Sequence, residues 1–134
     1  VNYMKNRLST NSKIDLILNG NRYIIIQGDW ILLRWAIENV FKNSIDAIGT
    51  GEGEIAVVIV KNENVLMIDI SDTGKGISRK DWKNIFRPGF SSKRRGWGLG
   101  LSLTMRIIKE IHQGYIRVIK SKPGETAFQI MLHI

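Results

Sequence analysis

The sequence predicts an α/β sandwich, with helices packed on one face of a mixed β-sheet. Three observations point to it. An apolar stripe of helical period follows Gly28-Asp29, β-branched runs come in pairs joined by short polar turns, and a second helical segment separates a glycine cluster from the last pair of runs.

Residues 1–13 are polar and without period, and read as a linker leading into one domain over residues 14–134. Lys13 to Ile26 holds two short β-rich runs around Asn19-Gly20-Asn21, a hairpin signal because asparagine and glycine tolerate the positive φ of tight turns. Asp29 is placed as the N-cap of a helix, its carboxylate able to accept from first-turn amides. Leu33, Ile37, Val40, Phe41, the small Ser44 and Ile48 form the buried side of that helix, and glycines at 49, 51 and 53 stop it. Glu54–Val60 and Val65–Ser71 are β-branched runs joined by Lys61-Asn62-Glu63-Asn64, an antiparallel hairpin. Ser78 is placed to cap a short helix from Arg79 to about Ile85. From Arg87 to Gly98 there is glycine, proline and charge but no period, hence a loop. A second helix is expected from about Leu99 to His112, with Gly114 as its C-cap glycine. Tyr115–Lys120 and Thr126–Ile134 form the last strand pair, turned through Lys122-Pro123-Gly124-Glu125.

Composition narrows the function classes. With 134 residues, 43% of them hydrophobic and 24% charged, the chain has the make-up of one ordinary globular domain. No apolar run approaches the ~20 residues that span a bilayer, and the amino terminus lacks a signal-peptide pattern, so a soluble, cytoplasmic segment is expected. The start at Val1 suggests a piece of something longer. Cysteine is absent, which excludes disulfides and thiolate metal sites. The net charge of +8 invites a nucleic-acid reading, but its distribution argues against one. Lys75 to Arg95 carries eight of the twenty basic residues against a single acid, Asp81, and runs up to a glycine cluster. A basic loop beside glycines suits a triphosphate at least as well as a DNA backbone.

Four stretches carry the chemistry. Asn39, Asn43 and Asp46 fall at i, i+4 and i+7, one polar ridge opposite the apolar stripe. Amide oxygens are hard neutral ligands, suited to a Mg²⁺ that keeps several waters and rides on phosphates; by itself, the ridge reads as well as a solvated helix face. Glu38 and Lys42 have the spacing of an exposed ion pair. Asp72-Thr73-Gly74-Lys75-Gly76 follows a strand directly, either as a plain turn or as a carboxylate that reads the exocyclic amine of adenine. Phe86 and Phe90 bracket Pro88-Gly89 ahead of the basic Ser91-Ser92-Lys93-Arg94-Arg95 run. Gly96-Trp97-Gly98-Leu99-Gly100-Leu101 opens the second helix, where unpaired backbone N–H groups attract anions and glycines let phosphate oxygens approach.

The order and spacing of these stretches resembles the ATP-binding catalytic domain of bacterial two-component sensor histidine kinases, within the wider Bergerat-fold group shared with gyrase-type ATPases. The resemblance spans roughly Asp29 to Ile134. It implies a Bergerat fold with a mobile ATP lid, ATP and Mg²⁺ as ligands, and Asn43 as the magnesium residue. Asn39, Lys42 and Asp46 would line the phosphate side of the same helix. Asp72, Gly74, Gly76 and Ile77 would hold the base, with Thr126 supporting Asp72 through hydrogen bonds. Phe90 would anchor the lid, Lys93 and Arg95 would contact phosphates, and Gly96, Gly98, Leu99, Gly100 and Leu101 would form the backbone cradle. In ATP-hydrolysing relatives a glutamate four residues before the metal asparagine is the general base. Here that position is Asn39, and Glu38 is rotated ~100° away, which favours transfer to another group over hydrolysis. His112 and His133 read as structural. The acceptor is therefore expected on a separate, upstream helical dimerisation domain, with a response regulator as indirect partner and neither nucleic acid nor membrane contacted by this domain. The alternatives are an anti-sigma-type serine kinase, an ATPase clamp and a binding module without turnover.

Overall fold

The computed structural model describes residues 13–20, 28–90 and 100–134. Five strands form one mixed sheet in the order β1-β2-β3-β5-β4. They are β1 (Lys13–Gly20), β2 (Glu52–Asn62), β3 (Val65–Asp72), β4 (Tyr115–Lys122) and β5 (Glu125–His133). β1 runs parallel to β2; the other neighbours are antiparallel.

Helix α1 (Trp30–Ile48) begins as expected, with the Asp29 carboxylate accepting from Leu32 N–H at 3.1 Å. Leu33, Ala36, Val40, Phe41 and Ser44 are buried along it, and Gly49 ends it at φ +77°, a conformation in which glycine escapes the Cβ penalty. Its apolar side lies on the sheet with Ile55, Val57, Ile68, Ile70, Phe128 and Ile130, all buried. Burying an aliphatic side chain of this size contributes ~1.5–3 kcal/mol, so this shared core holds α1, and the polar ridge it carries, against the sheet.

Three expectations are corrected. Asn19 and Gly20 are not a turn: they belong to β1, opposite Val58 and Ile59 of β2. Parallel pairing with a distant strand overrides the local turn preference, and the second predicted run, at 22–26, lies outside the described residues. The segment after Ser78 forms two 3-10 turns, Arg79–Asp81 and Asn84–Phe86, and the Ser78 side chain makes no capping bond. Trp82 accounts for the break, since its indole N–H donates to Ile77 O at 3.1 Å and ties the segment back to the preceding loop.

The third concerns the second helix. α2 (Gly100–Arg106) passes into a π turn (Ile107–Ile111), and the wide turn brings two consecutive residues, Ile107 and Ile108, into the core. Gln113, not Gly114, takes the left-handed conformation, with φ +54°. Gly114 serves another purpose: a Cβ there would collide with the Met131 carbonyl oxygen of β5.

Candidate nucleotide site

The site lies where the carboxyl end of β3, the polar side of α1 and the start of α2 converge. Asp72 is the last residue of β3 and is 2% exposed. Its Oδ1 accepts from Gly74 N–H at 2.8 Å, closing a tight turn on itself. Burial pushes the Asp72 carboxyl above its ordinary value of 3.8, with the Gly74 N–H and then the nearby Ser44 hydroxyl easing the charge. Neither Asp72 Oδ2 nor Ser44 Oγ completes a hydrogen bond among the described residues, although both are buried. An unsatisfied carboxylate oxygen in such a place is costly, and a ligand N–H relieves the cost. The exocyclic amine of adenine has the chemistry to do so.

The loop after Asp72 is held from two sides. Lys75 N–H donates to Ala47 O of α1 at 3.1 Å, and Gly124 N–H donates to Gly74 O at 2.8 Å. A Cβ on Gly74 would stand 2.7 Å from Ala47, so only glycine lets the loop pass this close to the helix. Gly76 has φ +87° and lies over the Lys122 carbonyl. Ile77 is half-buried against the core, and its N–H donates to Ser121 Oγ at 2.7 Å.

Thr126 stands directly opposite Asp72 in the β3–β5 register and is 2% exposed. Its hydroxyl partner is Ser121, with the two oxygens 2.8 Å apart, rather than Asp72. The expected threonine–aspartate hydrogen bond is thus replaced by one to Ser121, while Thr126 keeps its place opposite Asp72 in the sheet. The signal was present: the Lys122–Glu125 turn sets residue 121 opposite residue 126. In the apolar stripe Ser44 reads as a small filler, since nothing in helical periodicity marks a hydroxyl close to a buried carboxylate.

On α1, Asn39 and Asn43 are half-buried, while Lys42 and Asp46 are exposed. Asn39 faces the second helix, for a Cβ on Gly100 would lie 3.7 Å from Asn39 Oδ1. Glu38 pairs with Arg34, one turn earlier, at 3.1 Å. Leu101 packs half-buried on the core, and Phe90 is 43% exposed at the edge of the described segment. Phe86 is core, edge-on to Phe128 with ring centroids 6.3 Å apart. Lys93, Arg95, Gly96, Gly98 and Leu99 lie outside the described residues. The structure thus brings Asp72, Gly74, Gly76, Ile77 and Thr126 into one cluster, and sets Asn39 at the head of α2.

A buried carboxylate on a glycine loop that lies directly against an amide-bearing helix is the arrangement of an ATP-binding domain of the sensor histidine kinase type. The chain belongs to the family of histidine kinase-, DNA gyrase B- and HSP90-like ATPases, whose profile matches residues 28–134. Sporulation kinase B of Bacillus subtilis is 37% identical over 109 residues, covering 81% of this chain and 25% of that protein. The sensor histidine kinase ZraS of Escherichia coli is 33% identical over 109 residues, covering 81% of this chain and 23% of that one. The chain thus spans about a quarter of the length of these curated relatives. The solved catalytic domain of the histidine kinase ThkA shares the fold with a TM-score of 0.79 at 24% identity, over 90% of this chain and 78% of that one.

Proposed function

We propose that this domain binds Mg-ATP and donates the γ-phosphoryl group to a histidine on a separate helical dimerisation domain of a sensor kinase. The observation that carries the reading is the buried Asp72 carboxylate, with one oxygen satisfied by Gly74 and the other left for a ligand donor. Guanine would turn its O6 acceptor toward that oxygen, so the site favours adenine. Gly74, Gly76 and Ile77 shape the floor beneath the base.

Asn43, on the half-buried part of the α1 ridge, is the residue assigned to Mg²⁺, with Asn39 beside it and Lys42 and Asp46 toward the phosphates. The fit is to a metal that rides on the nucleotide, because an amide oxygen is a hard neutral ligand that leaves most of the coordination to phosphate and water. Magnesium supplies charge neutralisation on the phosphates when bound. Gly96, Gly98, Leu99, Gly100 and Leu101 are assigned to the backbone cradle, Lys93 and Arg95 to the phosphates, and Phe90 to the lid edge.

Asn39 in the general-base position supports transfer over hydrolysis, because an amide does not accept a proton at neutral pH. The partners are then the phosphoacceptor domain and, through it, a response regulator; ThkA has been solved in complex with the response regulator protein TrrA. No helix among the described residues is long and apolar enough to cross a membrane. We infer a cytoplasmic location, where ATP is available, for this part of the protein.

The test is phosphoryl transfer in trans. Incubated with γ-labelled ATP, the chain alone is expected to stay unlabelled and to hydrolyse slowly, since a missing general base commonly costs ~10²–10⁴-fold. Adding a histidine-bearing dimerisation domain is expected to yield acid-labile label on that domain. Fast hydrolysis by the chain alone, lost in Glu38→Ala or Asn39→Ala, would instead establish an ATPase clamp.

A further inference from the structure

The Gly74–Ile77 loop rests on the β4–β5 hairpin through more than one contact, and a single side chain joins that hairpin to two parts of the site. Ser121 Oγ accepts from Ile77 N–H at 2.7 Å and lies 2.8 Å from Thr126 Oγ1. Gly124 N–H holds Gly74 O from the same hairpin, and Gly76 crosses the Lys122 carbonyl too closely for any Cβ. The loop's near end is thus clipped by backbone, whereas its far end, at Ile77, is clipped by the Ser121 hydroxyl.

We infer that Ser121 is a positioning residue for adenine recognition: it locks the base loop onto β4 and fixes the hydroxyl of Thr126 opposite Asp72. The inference rests on the proposed adenine site. Its physical basis is hydrogen-bond accounting. Without the Ser121 oxygen, the Ile77 amide loses its acceptor and the Thr126 hydroxyl, 2% exposed, loses its partner beside a buried carboxylate. Loop slack at Ile77 passes back through Gly76 to Gly74, whose N–H aims the Asp72 carboxylate. The consequence falls on the amine contact of the base, not on the phosphates, which are assigned to other elements. Small misalignments at a directional, charge-assisted hydrogen bond weaken it steeply.

The experiment compares ATP with purine riboside triphosphate, which lacks the exocyclic amine, by calorimetric titration of the wild-type chain, Ser121→Ala and Ser121→Thr. Ser121→Ala is expected to weaken ATP about tenfold and the analogue less than about twofold, since the contact it spoils is absent from the analogue. Ser121→Thr, which keeps the oxygen, is expected to recover most of the ATP affinity. Amide hydrogen exchange on the unliganded protein gives an independent reading: Ile77 is expected to exchange faster in Ser121→Ala, with the β3 amides unchanged. If Ser121→Ala does not fold, Ser121→Cys, with a weaker acceptor in similar volume, carries the same expectation. Equal losses for both nucleotides would make Ser121 merely structural, and no loss would remove it from the site; either overturns the inference. Should the wild type bind both nucleotides equally well, the adenine reading itself fails, and the inference with it.

Discussion

His112 Nε2 accepts a hydrogen bond from Asp29 N–H at 3.0 Å, while its Nδ1 lies 2.9 Å from Ile107 O. A carbonyl only accepts, so Nδ1 carries the proton and Nε2 offers its lone pair to the amide. The imidazole therefore bridges the N-cap of α1 to the π turn that closes α2, over a sequence separation of 83 residues. Gly28 lacks a side chain where this ring sits: a Cβ there would be 2.5 Å from it.

The first prediction follows from that bridge. His112→Ala is expected to cost about 2 kcal/mol of stability by stranding the Asp29 amide and the Ile107 carbonyl. Denaturant unfolding measures this. With its Nε2 lone pair engaged and its Nδ1 protonated, His112 is also expected to take no label from γ-labelled ATP. Stable phosphorylation at His112 would contradict the observed bonding.

A second prediction sets stability against binding at Asp72. Its carboxyl is held above 3.8 by burial, so folding favours the protonated form. The unfolded chain releases this proton first as pH rises. Asp72 therefore lowers stability progressively from 3.8 up to its folded value, and the penalty is fully present above that. Asp72→Asn is expected to raise the unfolding temperature of the unliganded protein at neutral pH. The same substitution is expected to weaken ATP by about 2–3 kcal/mol, since a charge-assisted acceptor is lost. In the wild type, ATP affinity is expected to fall on acidification sooner than an ordinary aspartate would allow. Thermal scans with calorimetry at two pH values check both halves.

The third prediction separates metal from base. Asn43→Ala is expected to weaken Mg-ATP by about tenfold, while adenosine without magnesium binds as in the wild type. Unchanged Mg-ATP affinity and unchanged phosphoryl transfer would free Asn43 from the metal role.

The fourth concerns two glycines that matter for different reasons. Gly114→Ala is expected to cost about 2–3 kcal/mol, because the methyl meets backbone of β5 that cannot yield. Gly49→Ala meets open space and suffers only the strain of its backbone, φ +77° with ψ −141°, a combination nearly confined to glycine and costing about 1–3 kcal/mol. Unfolding of the two variants side by side distinguishes collision from backbone strain.

Much of this protein was legible from local pattern. The α1 stripe and its Asp29 cap, the β2–β3 hairpin and the turn at Pro123-Gly124 all follow from periodicity and turn chemistry acting over a few residues. The placement of Asp72, Gly74 and Gly76 at a strand end was equally readable. Sequence order alone was enough to define the class. Tertiary structure decided the rest. It determined that β1 pairs in parallel with β2 through Asn19 and Gly20, that α2 widens into a π turn, that Gly114 yields its left-handed place to Gln113, and that Ser121 closes on Ile77. Each of these depends on a partner far along the chain: 44 residues for Ser121 and Ile77, 83 for His112 and Asp29. Local propensity carries no information about such partners, because the free energy that selects them comes from burying one surface against another and satisfying the polar groups trapped between.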